Sequence, residues 1–121
     1  MTLKTHKDLN VWQESMKLIK KIYSLTAKFP KEEVYSLTAQ IKRAAISIPS
    51  NIAEGAARDS NKEYIHFLYI ALGSVAELDT QLIIAQELNF IDEQNYNEII
   101  VKLDTIGKML SGLIKYRQSK S

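Results

Sequence analysis

Apolar side chains return at steps of three and four along almost the whole chain, and no useful stretch alternates with period two. That is the rhythm of an α-helix, which completes a turn every 3.6 residues, so a sheet is excluded as the organising element. Four series carry it. They are Leu9, Trp12, Met16, Ile19, Tyr23, Thr26; Val34, Leu37, Ile41, Ala44, Ile48, Ile52, Gly55; Tyr64, Phe67, Ala71, Val75, Leu78, Leu82, Ala85; and Tyr96, Ile99, Leu103, Ile106, Leu110, Leu113. Helix starts are marked by Asp8, by Pro30 near the first turn of the second helix, by the capping box Ser60-Asn61-Lys62-Glu63, and by Asp92. The joints at Phe29-Pro30, Arg58-Asp59-Ser60 and residues 89–91 are short, which makes successive helices antiparallel neighbours. A chain of 121 residues supports one core. The prediction is therefore all-α: a single domain over residues 1–121, an antiparallel up-down-up-down four-helix bundle with a proline-containing second helix.

That second helix holds the most specific stretch, residues 43–58. A proline inside a helix costs about 3 kcal/mol through a lost hydrogen bond and a clash with the carbonyl four residues back, so Pro49 needs an offset. At roughly 100° per residue, Arg43, Ser47, Asn51, Glu54 and Arg58 fall within about 80° of one another. Ile41, Ala44, Ile48, Ile52 and Gly55 occupy the opposite side. Lys42, Ile46, Ala53 and Ala57 form a third sector that would let another helix approach closely. One reading is a kinked bundle helix with a solvated side. The other is a helix buried on two faces, whose polar groups meet a partner or each other.

The third series is more apolar than one core face requires, because Leu68, Ile70, Leu72, Ile83 and Ile84 widen it sideways. Gly73, Ser74 and Ala76 would admit a close neighbour there. Together with Ile46, Ala53 and Ala57 this points to an oligomer. Charge is segregated along the chain, although the net is only +2. Residues 1–62 hold eleven Lys/Arg against six Asp/Glu, residues 63–101 none against seven, and residues 102–121 five against one. Such runs serve as solvated faces, or set an acidic helix beside basic neighbours in its own or another subunit.

The residues offer little for catalysis. There is no cysteine, no nucleophile elbow, no phosphate-cradling glycine loop and no His-Glu-x-x-His. Glu63-Tyr64-Ile65-His66 has the Glu-x-x-His spacing of di-iron bundles, but no second copy accompanies it, so no metal or cofactor is expected. An acid/base pocket of Arg43, Asn51, Glu54 and Arg58 with Glu77 is the enzymatic alternative. Against it, Glu54 and Arg58 stand at i, i+4, the spacing of an ordinary helix ion pair. Nucleic-acid binding has support from Lys17, Lys20, Lys21 and Lys28 on the first helix and Lys108, Lys115 and Arg117 on the last, with tyrosines such as Tyr116 nearby. The first ten residues lack an apolar signal region, and no apolar run approaches the roughly 18 residues of a membrane span, so a cytoplasmic protein is expected.

The segments Leu9-Asn10-Val11-Trp12, Tyr23-Ser24-Leu25-Thr26, Gln40-Ile41-Lys42-Arg43-Ala44-Ala45 and Gly73-Ser74 to Glu77-Leu78 occur in order around the block Ser47-Ile48-Pro49-Ser50-Asn51-Ile52-Ala53-Glu54-Gly55. Together they resemble the four-helix-bundle proteins encoded in intervening sequences of bacterial 23S ribosomal RNA genes. The chain is also similar to accessory proteins of diversity-generating retroelements, basic pentamers thought to engage RNA and a reverse transcriptase. The resemblance implies a homopentameric ring of antiparallel bundles and no catalytic residues. The leading expectation is a non-enzymatic ring protein that binds structured RNA or an RNA-associated partner, with a structural or interaction signature at Arg43, Ser47, Pro49, Asn51, Glu54, Gly55, Arg58 and Glu77; the alternative is a protein-interaction scaffold without direct nucleic-acid contact. Three departures stand out: Ser36 occupies a position typically glycine, the pattern of the last helix is looser, and the chain is only mildly basic.

Overall fold

The computed structural model describes residues 5–120, which form four α-helices and no strand. These are α1 (Asn10–Thr26), α2 (Leu37–Ala56), α3 (Asn61–Glu87) and α4 (Glu93–Gln118), with short 3₁₀ turns at His6–Asp8 and Lys31–Glu33. Each helix packs on the next in sequence and α1 also packs on α4. Among the described residues α1 shares no contact with α3, which places these two at opposite corners.

Two helix starts differ from expectation. Asp8 does not cap α1: its carboxylate accepts the backbone N–H of Thr5 at 3.0 Å, closing a capping box on the preceding 3₁₀ turn, and Leu9 stands at the N-cap of α1 without a side-chain bond. Pro30 likewise opens the Lys31–Glu33 turn, so α2 begins only at Leu37 and Val34 is left exposed outside it. Asp92 caps α4 through Asn95 N–H at 2.8 Å. Ser60 caps α3 through Glu63 N–H at 3.0 Å, while the Glu63 carboxylate accepts the Ser60 hydroxyl and not the N-cap amide.

The core is lined by Ile41, Ala44, Ala45, Ile48, Pro49 and Ile52 of α2, Leu68, Ala71, Leu78, Leu82 and Ala85 of α3, and Ile99, Leu103, Ile106, Leu110 and Ile114 of α4. Its line on α1 is not the one expected. Val11, Ser15, Leu18, Ile22 and Thr26 are buried, whereas Trp12 and Ile19 are half-buried and Met16 and Tyr23 exposed. The two stripes lie about 100° apart. Ser15 and Thr26 tolerate the core because their hydroxyls donate to the carbonyls of Val11 and Ile22, at 2.7 and 2.8 Å.

α3 ends in a Schellman motif. Phe90 N–H reaches the Ala85 carbonyl at 2.9 Å, Asn89 N–H reaches Gln86, and Asn89 takes φ 64°, a left-handed conformation that asparagine tolerates better than most residues.

Candidate functional site

The polar stripe of α2 divides in two. Its middle is tied to α3 along the outer seam of the pair: the hydroxyls of Ser47 and Ser74 are 2.8 Å apart, and the Asn51 amide donates to the Ser47 carbonyl and hydroxyl at 2.8 and 2.9 Å. Its end is a surface ion pair. Arg58 donates to Glu54 at 2.9 Å, with both side chains about half exposed, so the pair stabilises by only a few tenths of a kcal/mol. Arg43 on α2 and Glu77 on α3 are exposed. Four of the five stripe residues therefore supply cross-linking and a surface pair, Arg43 stands exposed, and no nucleophile among them is set against a base.

Gly55 and Pro49 belong to the packing. A Cβ on Gly55 would sit 2.9 Å from Phe67 Cβ and 3.1 Å from the Tyr64 carbonyl oxygen, so α2 and α3 approach closely there and leave no room for a side chain. Pro49 is buried inside α2. Among the described residues, Thr38 Oγ1 and Gln81 Oε1 are buried side-chain atoms without a hydrogen-bond partner, and such orphans cost about 1–3 kcal/mol each.

The seven basic candidates occupy four places. Lys21 and Lys28 line a shallow cleft between α1 and α4 with Asn95 and Glu98. Lys17 and Lys102 line the next cleft along the same seam with Glu14. Lys20 is exposed on α1. Lys108 and Lys115 lie across α4, in a groove of about 940 Å³ against Leu72, Val75 and Ala76 of α3. Arg117 is held at the end of the bundle: its Nε donates to Asn61 Oδ1 at 2.8 Å, and the Asn61 amide returns a bond to the Arg117 carbonyl at 2.7 Å. Of the seven, the structure brings together Lys17, Lys21 and Lys28 and adds Lys102, which the sequence reading missed.

The same end gathers cations over rings. Arg117 stacks 4.6 Å from the Tyr64 ring centre, Arg58 4.9 Å from Phe67 and Lys120 5.0 Å from Tyr116; elsewhere Lys42 stacks 4.5 Å from Tyr23. Four such pairs exceed the ordinary density of about one per 70–80 residues. Tyr116 was read as lying near positive charge, but none of the four pairs was singled out from the sequence. Burial pushes the Tyr64 phenol pKa above its ordinary value, an effect the Arg117 charge partly offsets.

By length and composition α3 meets the test for a membrane span, yet its Leu68, Ala71, Leu78, Leu82 and Ala85 are buried in the bundle core. Its opposite side carries exposed Tyr69, Ile70, Ile83, Ile84 and Leu88. Among the described residues no group of three His, Asp or Glu side chains converges as a metal site.

Comparison with known proteins gives two findings. Residues 7–112 match the family described as 23S rRNA-intervening sequence protein. The fold is similar to the crystal structure of a protein of unknown function from the S23 ribosomal protein family of Bacteroides thetaiotaomicron. The TM-score is 0.81 at 27% identity, over 87% of this chain and 95% of that one. A search of curated proteins gives no match.

Proposed function

The chain belongs to the 23S rRNA-intervening sequence protein family, and from that membership we propose a non-enzymatic, cytoplasmic bundle protein that assembles into a homo-oligomeric ring, a pentamer, and binds structured RNA. The bundle is read as antiparallel and up-down-up-down. Supporting this, Ser47 pairs with Ser74 and Gly55 abuts Phe67, so positions rising along α2 meet positions falling along α3; Asn61 meets Arg117 and Val75 meets Gly107 in the same sense between α3 and α4. No cofactor, metal or membrane enters this reading.

The observation that carries the RNA contact is the run of Lys17, Lys21, Lys28 and Lys102 along one seam between α1 and α4. Lysine ammonium groups spaced along a cleft neutralise successive phosphates and release their counterions. If all four engage, the logarithm of affinity falls with the logarithm of salt at a slope of about −3 per protomer. Titration of purified protein with labelled 23S ribosomal RNA fragments across a salt series tests this. Loss of binding on Lys17→Glu with Lys21→Glu is the expected result, and salt-insensitive binding, or none, would refute it. The second reading is a scaffold for an RNA-associated protein, favoured by the exposed apolar side of α3. Affinity purification with and without nuclease separates the two, since a protein partner survives digestion.

A further inference from the structure

The α4 side of the lysine seam continues past Lys102. Tyr116 and Lys120 stand eighteen residues beyond Glu98 and Lys102, which line the clefts with α1. Eighteen residues are five full helical turns, so the later pair returns to the same side of α4, about 27 Å farther along it. There an aromatic ring and a cation take the places of a carboxylate and a cation. The Tyr116 ring is 55% exposed, and the Lys120 ammonium sits 5.0 Å from its centre.

The surroundings suit a phosphodiester chain. From residue 105 to residue 121 there are Lys108, Lys115, Arg117 and Lys120 and no carboxylate. An exposed ring on such a basic rim is a stacking platform, because every nucleobase has a π face and the cations draw the strand to it. The other exposed tyrosines lack this setting. Tyr35 is 95% exposed but follows Glu32 and Glu33, which repel phosphate. Tyr69 accepts a hydrogen bond from Gln118 at 3.3 Å, on the α3 side of α4. Tyr23 also carries a lysine over its ring, but that lysine is Lys42 of α2, so the ring lies away from the seam.

We propose that Tyr116 is a base-contact residue. RNA whose phosphates lie along the lysine seam lays an unpaired base on the face of the Tyr116 ring away from Lys120. This rests on the RNA reading of the seam and names its substrate class, which is single-stranded RNA. Bases inside a continuous duplex are stacked on one another and offer no free face, whereas unpaired bases splay out onto aromatic side chains.

Fluorescence anisotropy of the purified full chain tests the contact with two labelled probes: a single-stranded RNA of mixed sequence, and a long duplex whose ends are few beside its interior. Tyr116→Leu keeps an apolar side chain and removes the π face. It weakens binding of the single strand about tenfold, leaves the duplex affinity unchanged and leaves the salt slope unchanged, since stacking neutralises no phosphate. Tyr116→Trp binds the single strand at least as tightly as the wild type. Tyr23→Leu, the same change off the seam, binds both probes as the wild type does. Helical circular dichroism melts matching the wild type confirm that each variant is folded, as the exposure of both rings leads one to expect. A Tyr116→Leu protein that binds the single strand like the wild type, a loss shared equally by strand and duplex, or a Tyr116→Trp protein as weak as Tyr116→Leu would overturn the proposal and leave the lysine seam standing. A wild type that binds neither probe would refute the seam and the base contact together. A nuclease-resistant protein partner that Tyr116→Leu releases would reassign the ring to a protein contact and overturn the proposal.

Discussion

Replacing Gly55 with alanine tests the claim that α2 and α3 are pinned at one point. The added Cβ would lie 2.9 Å from Phe67 Cβ, 3.1 Å from the Tyr64 carbonyl oxygen and 3.2 Å from Tyr64 Cδ1. Carbon atoms prefer about 3.5–4.0 Å, so the helices must part by roughly half an ångström. The nearest groups are a Cβ and a backbone carbonyl, neither of which can swing aside as a side-chain tip would. Overpacking of this kind costs about 1–3 kcal/mol. Alanine returns about 1 kcal/mol of helix propensity, so the net effect is a loss of about 0–2 kcal/mol and a melting temperature lower by up to about 8 °C. Gly112→Ala is the control: nothing stands within 4 Å of that Cβ, so only the propensity gain operates and stability rises by about 0.5–1 kcal/mol. Thermal and urea melts followed by far-ultraviolet circular dichroism measure both variants. A Gly55→Ala protein that gains stability as Gly112→Ala does would refute the tight crossing.

Single and double alanine variants of Ser47 and Ser74 should show a coupling energy of about 0.5–1.5 kcal/mol in urea unfolding, since the hydroxyls are 2.8 Å apart in a half-buried seam; strict additivity would mean the bond contributes nothing. Asn89→Gly is expected to preserve or raise stability and Asn89→Val to lower it by at least about 1 kcal/mol, because φ 64° is open to glycine and strained for a β-branched side chain; equal melts for both would contradict the Schellman assignment. Stability should also decline in alkali. With the folded pKa of Tyr64 raised above the unfolded one, its contribution is complete below the ordinary value of 10.0 and is lost as pH rises from there through the folded pKa. Tyr64→Phe should flatten that part of the pH profile, and an unchanged profile would assign the decline to other groups.

Helix number and the core face of α2 were legible because Ile41, Ala44, Ile48 and Ile52 repeat on one side while charge and amide groups fill the other. α1 misled for a physical reason. Trp12, Met16 and Tyr23 are larger than Val11 and Ser15, so ranking by size selects a stripe that shares only Thr26 with the one the bundle buries. Nothing local announces that Ser15 satisfies its hydroxyl on its own helix. On α3 the limit was different: a helix apolar almost all round has no readable single face. Within the candidate site, the Arg43-to-Arg58 stripe was visible as a pattern, but its division was not. The Ser47–Ser74 bond needs α3 alongside, and the exposure of the Glu54–Arg58 pair is set only by the folded bundle. The lysine seam was half legible, since Lys17, Lys21 and Lys28 share one flank of α1 while Lys102 joins them only in the folded bundle.

Two separate flanks of α1 give the RNA and assembly readings a joint consequence. The lysine flank faces α4 whereas exposed Met16 lies away from it, so Met16→Glu, placed to disrupt the proposed ring, leaves the lysines of the proposed RNA seam in place. Each protomer of the blocked variant should then bind RNA at its own seam, with a salt slope near −3 if four lysines engage. In a ring, one RNA long enough to span neighbouring seams is held at several of them. Effective concentration then raises affinity by about 10²–10⁴-fold without a new contact, and the salt slope steepens with each seam engaged. Met16→Glu should therefore lose that factor on long RNA and lose little on an oligonucleotide too short to bridge two protomers. Equal affinity of the blocked variant and the wild type for long RNA would show that the ring does not present the lysine seams together, and would leave assembly with some other purpose.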